Sequence, residues 1–402
     1  MTVLFLVEDV SFTTDSRVRR QTSALLAQGV QVVVICPANA GEPAYELDPS
    51  GAHVYRYRKP APAEGFAWHL VEYAASLAQH TRLARRVWRR HGFDVIHAAN
   101  PPDILWMVAL PYKLLRGTRF VYDQHDIVPE LFQVRYAAQH PAARPVVLGM
   151  ERASYGLADH VIVTTDSLRR IALDRGGRRP EDVTIVRNGP RLRTDFPEVR
   201  PDAQTRALAP VMVGYLGHMN PQDHLEKFLE MADIVHNRAG RRDIGFVMIG
   251  AGDSWEELRR TRDRLGLSEA VRMTGRVPWP EVLSHLAATD ICVQPDPPTA
   301  FNSLLAHNKL MEYMAMGKAA VAFDMAETRV SGGDCVTYVP GESAEGLARA
   351  VLELADDPAR REALGQRGRR RVEEVLCWEQ QAQSLLAAYA RLLPAGAALG
   401  AG

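Results

Sequence analysis

Cysteine is scarce and badly placed for chemistry. Cys36, Cys292, Cys335 and Cys377 lie far apart, with no CxxC spacing and no histidine beside them. That pattern argues against a zinc site and against a disulfide framework. Net charge is missing as well, 48 Lys and Arg against 48 Asp and Glu. With no basic field to gather a polyanion, nucleic acid is not an expected partner. No apolar run is long enough to span a bilayer. The apolar stretch over residues 2–8 has no basic leader, so it reads as a first strand rather than a signal peptide. A reducing cytoplasm fits these absences. Lysine is rare against an arginine-rich background, being confined to Lys59, Lys113, Lys227, Lys309 and Lys318, and each is a candidate for a specific role.

What the 402 residues do contain is α/β grammar, enough for two domains. Short β-branched runs over residues 3–7, 30–36, 53–58, 94–98, 119–122, 161–165 and 183–186 alternate with amphipathic stretches, the first over 17–28. Most are apolar along their length, as parallel strands covered on both faces should be. Residues 187–210, rich in Pro, Arg and Asp, read as a linker. The grammar then restarts, with strands over 211–216, 245–249, 271–274, 291–294, 319–323 and 335–339 and helices over 221–236 and 255–265. The expected division is a Rossmann-like domain over 1–195, a second over 196–376, a terminal helix over 377–393 returning to the first domain, and a disordered Gly/Ala tail over 394–402. A long helix over 64–90 carries Arg82, Arg85, Arg86, Arg89 and Arg90. It is either a domain helix with a solvated basic face or a peripheral contact with an anionic membrane.

In open α/β sheets ligands sit beyond the carboxyl ends of the strands, where helix N-termini and backbone amides converge. Five segments of this chain occupy such places. Gly250-Ala251-Gly252-Asp253 ends a strand in a Gly-x-Gly turn, with Asp253 or Ser254 as the cap of the next helix. The alternative is a tight turn with no ligand. Gly275-Arg276-Val277 follows another strand, where Arg276 either reaches a base or phosphate or is simply solvated. His307-Asn308-Lys309 opens a helix that Asn308 is expected to cap and Gly317 to stop. Its free amides suit a diphosphate, Lys309 adds a point charge, and Glu312 one turn on can accept two ribose hydroxyls. In the first half, Asp123-Gln124-His125-Asp126 follows a strand, where His125 is either a site residue or a loop histidine satisfied by Asp126 or Asp123. The loop after the first strand has Asp15 or Ser16 as a helix cap and Arg17 or Arg19 toward the cleft.

Glu312-x-Met314-Ala315-x-Gly317-Lys318 before an apolar strand resembles the nucleotide-binding segment of the family-4 retaining glycosyltransferases. Arg187-Asn188-Gly189, the Gly214 to Gly217 strand end, the Gly250 turn and Gly275-Arg276-Val277 agree in order along nearly the whole chain. The resemblance implies an α/β fold of the GT-B kind, two Rossmann-like doubly wound domains facing a central cleft. It implies a nucleoside diphosphate sugar, UDP- or GDP-linked, as co-substrate with no other cofactor. In it Glu312 holds the ribose, Gly217, Gly250, Gly252, Asp253 and the Gly275 loop meet the nucleotide, and His125 faces the reacting sugar, with Asp126 and Glu130 available to orient it or the acceptor. A subgroup with an Asn-Lys-x-x-Glu-Tyr-Met segment is similar here.

Two departures bear on chemistry. Leu304 stands where the family usually has a second glutamate that binds donor hydroxyls, and His218-Met219-Asn220 stands where relatives often carry a diphosphate-binding arginine. Lys309, Arg329 and the N-terminal loop arginines are the replacement cations. No His or Cys cluster has metal spacing, so the expectation is metal-independent, retaining glycosyl transfer to a polysaccharide, lipid-linked or small natural-product acceptor. The alternatives are a sugar-nucleotide 2-epimerase and a non-catalytic nucleotide-sugar-binding protein. An NAD-dependent oxidoreductase is disfavoured because no GxGxxG loop follows the first strand.

Overall fold

The computed structural model describes residues 1–60, 66–136 and 140–393. The expected tail over 394–402 lies outside the described residues, as does the start of the predicted basic helix. The chain forms two compact units: residues 1–187 together with the chain from Gln381 onward, and residues 188–380.

The first unit holds an eight-stranded sheet in the order β3-β4-β2-β1-β5-β6-β7-β8. Its strands are β1 (Thr2–Leu6), β2 (Gln31–Pro37), β3 (Tyr45–Leu47), β4 (His53–Tyr57), β5 (Val95–Ala99), β6 (Arg119–Gln124), β7 (His160–Val163) and β8 (Val183–Ile185). All pairings are parallel except β3 with β4. The helices are α1 (Ser16–Leu26), α2 (Phe66–His91), α3 (Trp106–Arg116), α4 (Val128–Arg135), α5 (Arg144–Leu157) and α6 (Asp166–Asp174). Asp15 caps α1 as expected, its side chain accepting from the Val18 amide, which satisfies one of the amides a helix start leaves unpaired.

The second unit holds a six-stranded parallel sheet in the order β11-β10-β9-β12-β13-β14. Its strands are β9 (Val211–Leu216), β10 (Ile244–Ile249), β11 (Val271–Met273), β12 (Ile291–Gln294), β13 (Ala319–Phe323) and β14 (Val336–Val339). Two four-residue helices, α7 (Leu192–Asp195) and α8 (Ala203–Arg206), lie in the segment read as linker. They are followed by α9 (Glu226–Asp233), α10 (Trp255–Arg264), α11 (Trp279–Ala287), α12 (Asn308–Ala315), α13 (Ala326–Gly332), α14 (Ala344–Asp356) and α15 (Pro358–Arg371), and then by α16 (Trp378–Ala390), which belongs to the first unit from Gln381 onward. Successive residues of a strand face opposite sides. On β10, Phe246 and Met248 enter one apolar cluster while Val247 and Ile249 enter the other. Both faces of this sheet are therefore covered, the physical reason its strands read as continuous apolar runs.

The helix predicted over 221–236 begins late. The Asn220 amide donates to Asp223 Oδ2 at 3.0 Å, closing a short 3₁₀ turn, and His224 takes φ 47°, so α9 starts only at Glu226. No helix among the described residues is long and apolar enough to cross a membrane. All four cysteines are buried and free.

His160 on β7 gives the first unit a pH-dependent term. Burial, followed by the charge of Arg391, lowers its pKa from 6.5 to about 4, and Nε2 is 2.8 Å from Thr184 Oγ1. A histidine whose folded pKa is depressed contributes its full stability above the unfolded pKa and loses it as pH falls toward the folded value. Between pH 6.5 and 4 the wild type is expected to lose about 3 kcal/mol relative to His160→Gln. Urea unfolding of both proteins at stepped pH checks this, and parallel curves would refute it.

Candidate functional site

The second unit carries a pocket of about 510 Å³ beyond the carboxyl ends of its strands. That volume lies within the range of small-ligand sites. It is walled by the ends of β9 and β10 (Gly217, Gly250), the loop after β11 (Arg276, Val277) and the start of α12 (Asn308, Lys309, Glu312). The expected donor-binding segments 217, 250, 276–277 and 308–312 therefore converge on one space.

The Gly-x-Gly turn works differently from expectation. Gly250 has φ 128°, and a Cβ there would sit 2.1 Å from the Gly217 carbonyl oxygen; a Cβ on Gly252 would sit 2.4 Å from the Met219 carbonyl oxygen. These glycines let neighbouring turns of the protein approach each other, with Ser254 N donating to Met219 O at 2.8 Å. Gly250 and Ala251 line the pocket, whereas Gly252 and Asp253 are not among its lining residues. Ser254 is the cap residue of α10, but neither it nor Asp253 makes a side-chain cap bond. Gly275 has φ 71° and forms an isolated bridge with Gly250, which sets the Arg276-Val277 wall.

The start of α12 also needs correction. The cap residue is His307, without a side-chain cap bond, and Asn308 is the first residue of the helix. His307 is occupied elsewhere, with Nε2 3.0 Å from Asn302 O and Nδ1 3.6 Å from Asp296 Oδ2. Gly317 follows the last turn at φ 65°, the expected stop.

Lys309 is not a lone point charge. Its Nζ donates to both oxygens of Asp296, at 2.7 and 2.9 Å, and lies 5.1 Å from the centre of the Tyr215 ring. Burial alone would raise the Asp296 carboxyl, but the charge of Lys309 and the bond to His307 hold it below the usual carboxylate range. Burial alone would lower Lys309, and Asp296 reverses this, raising it. Asp296 was missed by the sequence reading, although it stands two residues past β12 and obeys the same strand-end rule.

Arg329 does not join this pocket. It makes a two-pronged pair with Asp324 at 2.6 Å, its guanidinium lies over the Tyr338 ring, and its side chain is 56% exposed. Around Leu304 the pocket wall is Asn302, Leu305 and Ala306.

In the first unit, His125 belongs to a buried charge network. Its Nε2 is 2.7 Å from Asp123 Oδ2, and Arg17 Nε is 2.9 Å from the same nitrogen. Asp123, fully buried, also accepts from Arg17 Nη2 at 2.7 Å and Gln21 Nε2 at 2.7 Å, with His97 Nε2 3.2 Å away. His97 in turn meets the Tyr389 hydroxyl of α16 at 2.7 Å. Burial pushes the Asp123 carboxyl up, but Arg17 and the two histidines hold it well below the ordinary range. His97, fully buried, is lowered by burial and kept neutral, so its Nε2 donates to Asp123 and its Nδ1 accepts from Tyr389.

Three expectations change here. Arg17 is not presented to an acceptor, since its side chain is only 6% exposed and bound to Asp123 and Val186 O. The carboxylate that orients His125 is Asp123 rather than Asp126 or Glu130. Asp126 supports the loop through its backbone, its N donating to Asn100 Oδ1 and its O accepting from Asn100 Nδ2, and the His125 amide donates to the same Asn100 Oδ1. Glu130 pairs with Arg175 at 2.5 Å, and Arg175 also binds Glu151.

A family model described as a glycosyl transferase 4-like domain matches residues 14–189, and one described as glycosyl transferases group 1 matches residues 210–357. D-inositol 3-phosphate glycosyltransferase of Kineococcus radiotolerans is 26% identical, aligned over 91% of this chain and 87% of its own. Sucrose-phosphate synthase from Thermosynechococcus elongatus superposes with a TM-score of 0.76 at 18% identity, covering 98% of this chain and 99% of its own. HepE of Anabaena in complex with UDP superposes with a TM-score of 0.70 at 15% identity, covering 97% of this chain and all of its own. One glycosyltransferase model on each half, and curated relatives aligned along most of the chain, support a GT-B glycosyltransferase of the 4-like and group 1 kind.

Proposed function

We propose that this chain moves a glycosyl group from a nucleoside diphosphate sugar to an acceptor hydroxyl, with retention and without a metal ion. The Asn308-Lys309-x-x-Glu312-Tyr313-Met314 segment supports assigning it to the subgroup with that pattern. The observation that carries the reading is the pocket at the strand ends of the second unit, where the start of α12, Lys309 and Glu312 share one space with the Gly217 and Gly250 turns. Amides at a helix start and a lysine suit a diphosphate, and a carboxylate one turn further in suits the two hydroxyls of a ribose. UDP is the first nucleotide to test, because HepE is found with it. The D-inositol 3-phosphate named for the Kineococcus relative is the first polar acceptor to compare.

In the reaction, the bond between the anomeric carbon and the diphosphate oxygen breaks with its electron pair going to the diphosphate. The acceptor oxygen bonds to the anomeric carbon on the same face, and its proton passes to the leaving phosphate oxygen. Lys309 and the α12 amides stabilise the charge that develops on the diphosphate. His125, fixed through Nε2 by Asp123, is assigned the reacting end of the donor.

Glu312→Ala is expected to weaken UDP binding by about 10- to 100-fold, the value of hydrogen bonds to a charged group. Calorimetry showing wild-type affinity would remove Glu312 from the nucleotide site. Transfer is expected to persist in excess EDTA, and a strict magnesium requirement would refute the metal-free part of the proposal.

A further inference from the structure

The first unit has a second cavity, of about 460 Å³, among α2, α3, α4 and α5. Its walls are apolar, formed by Ile104, Met107, Leu131, Val147 and Met150, and its rim includes Leu70 and Val146, which are 55% and 60% exposed. No lysine or arginine is among the lining residues. Apolar side chains left this open around a concavity mark a site that something apolar covers.

Two chain segments tie this cavity to His125. One wall starts at Pro102-Asp103-Ile104, just after Asn100, whose Oδ1 accepts from the His125 amide. Another is α4, which begins at Val128, three residues beyond His125 in the sequence, and contributes Val128 and Leu131. The single carboxylate among the lining residues is Asp103. Its Oδ1 accepts from Tyr122 OH at 2.5 Å and Asn100 Nδ2 at 3.0 Å, while its Oδ2, also buried, has no hydrogen-bond partner among the described residues. Burial raises this carboxyl to about 6, so it is ionised above neutral pH and accepts a hydrogen bond from a hydroxyl. A buried acceptor atom without a donor is costly and is satisfied by a ligand that brings one.

Resting on the transferase reading above, we infer that this cavity holds the body of the acceptor, and that the acceptor is an apolar alcohol whose hydroxyl reaches Asp103. Aliphatic lipid alcohols and aromatic phenols share that chemistry. A phosphorylated polyol such as D-inositol 3-phosphate lacks the apolar body and brings an anion to a site lined by the Asp103 carboxylate and by no lysine or arginine.

The test uses the full chain and the neutral fluorescent probe N-phenyl-1-naphthylamine, with decanol and 2-naphthol as competitors. Saturable one-site binding is expected, and whichever competitor displaces the probe at lower concentration identifies the aliphatic or the aromatic source. Val146→Lys at the exposed rim and Leu131→Trp inside are each expected to weaken probe binding about tenfold or more, with UDP affinity by calorimetry within about twofold of wild type. Asp103→Asn is expected to narrow the preference for 2-naphthol over naphthalene. Non-saturable binding, or unchanged affinity in both wall variants, overturns the site. An unchanged preference in Asp103→Asn overturns the hydroxyl contact. If decanol and 2-naphthol accept no sugar while D-inositol 3-phosphate does, the acceptor class is overturned. Absence of UDP binding in the wild type would overturn the transferase reading and leave the probe result standing, so the two failures are separable.

Discussion

Asp123→Asn is expected to lower the melting temperature of the first unit by about 10 °C and to reduce turnover at least about 100-fold, with UDP affinity unchanged. Asp123 is the charge against which Arg17 is buried, and it anchors His125 and meets Gln21 and His97 at the same time. Removing one partner of a buried ion pair costs about 3–5 kcal/mol, because the other charge stays behind. In a unit of this size each kcal/mol is worth roughly 2–4 °C. The asparagine amide adds a second fault, turning a donor toward groups that already donate. His125 then loses the bond that sets its ring, so the chemical step suffers, while Lys309 and Glu312 belong to the other unit and keep their surroundings. The pH sign is fixed by the depressed carboxyl. Its stabilisation is present above the unfolded pKa of about 4 and fades only as pH falls through the lower folded value. The difference between wild type and variant should therefore hold from pH 5 to 8 and shrink in acid. Calorimetric melting within about 2 °C of wild type would show that Arg17 is not held by this charge.

The sheets were legible in the sequence because a strand covered on both faces is apolar along its length. β9, β12 and β13 lie where the apolar runs placed them, at Val211–Leu216, Ile291–Gln294 and Ala319–Phe323. β3 was not legible, being a three-residue antiparallel edge whose pattern, Tyr45-Glu46-Leu47, is too short to show a period. The late start of α9 was hidden because Asn220 and Asp223 read equally well as helix caps and as a turn.

Charge pairing was the least legible feature, and the reason is distance along the chain. Arg17 meets Asp123 across 106 positions, and Lys309 meets Asp296 across 13. A buried arginine and a solvated one look alike in sequence until the fold brings a carboxylate to one of them. Arg329 shows the opposite error. It looked available for phosphate, yet Asp324, five residues before it, already holds it. The strand-end rule pointed to both candidate regions, while the side chains that neutralise one another there had to be seen together.

Asp296→Asn tests what Lys309 is for, because the two available roles predict effects of opposite sign. In both cases the variant is expected to be less stable by about 3 kcal/mol, near the low end for a broken buried pair, since Lys309 lies against an open pocket and is 17% exposed. The roles separate on nucleotide binding. If Lys309 meets the diphosphate, the wild-type lysine approaches it already neutralised by Asp296. Removing that carboxylate leaves an uncompensated cation beside the start of α12, and UDP is expected to bind about tenfold tighter and to raise the melting temperature more than it does in wild type. If Lys309 only anchors the loop after β12, the loosened pocket binds UDP more weakly. Lys309→Met is expected to weaken UDP binding in the first case and to leave Asp296 buried without its cation in both. The double variant Asp296→Asn/Lys309→Met should then recover much of the stability lost by either single change, because it leaves no unpaired charge, and the cycle yields the coupling directly. Restored stability with UDP binding still weak would fix both functions of Lys309 at once: a partner for Asp296 in the free protein and a cation for the diphosphate in the complex.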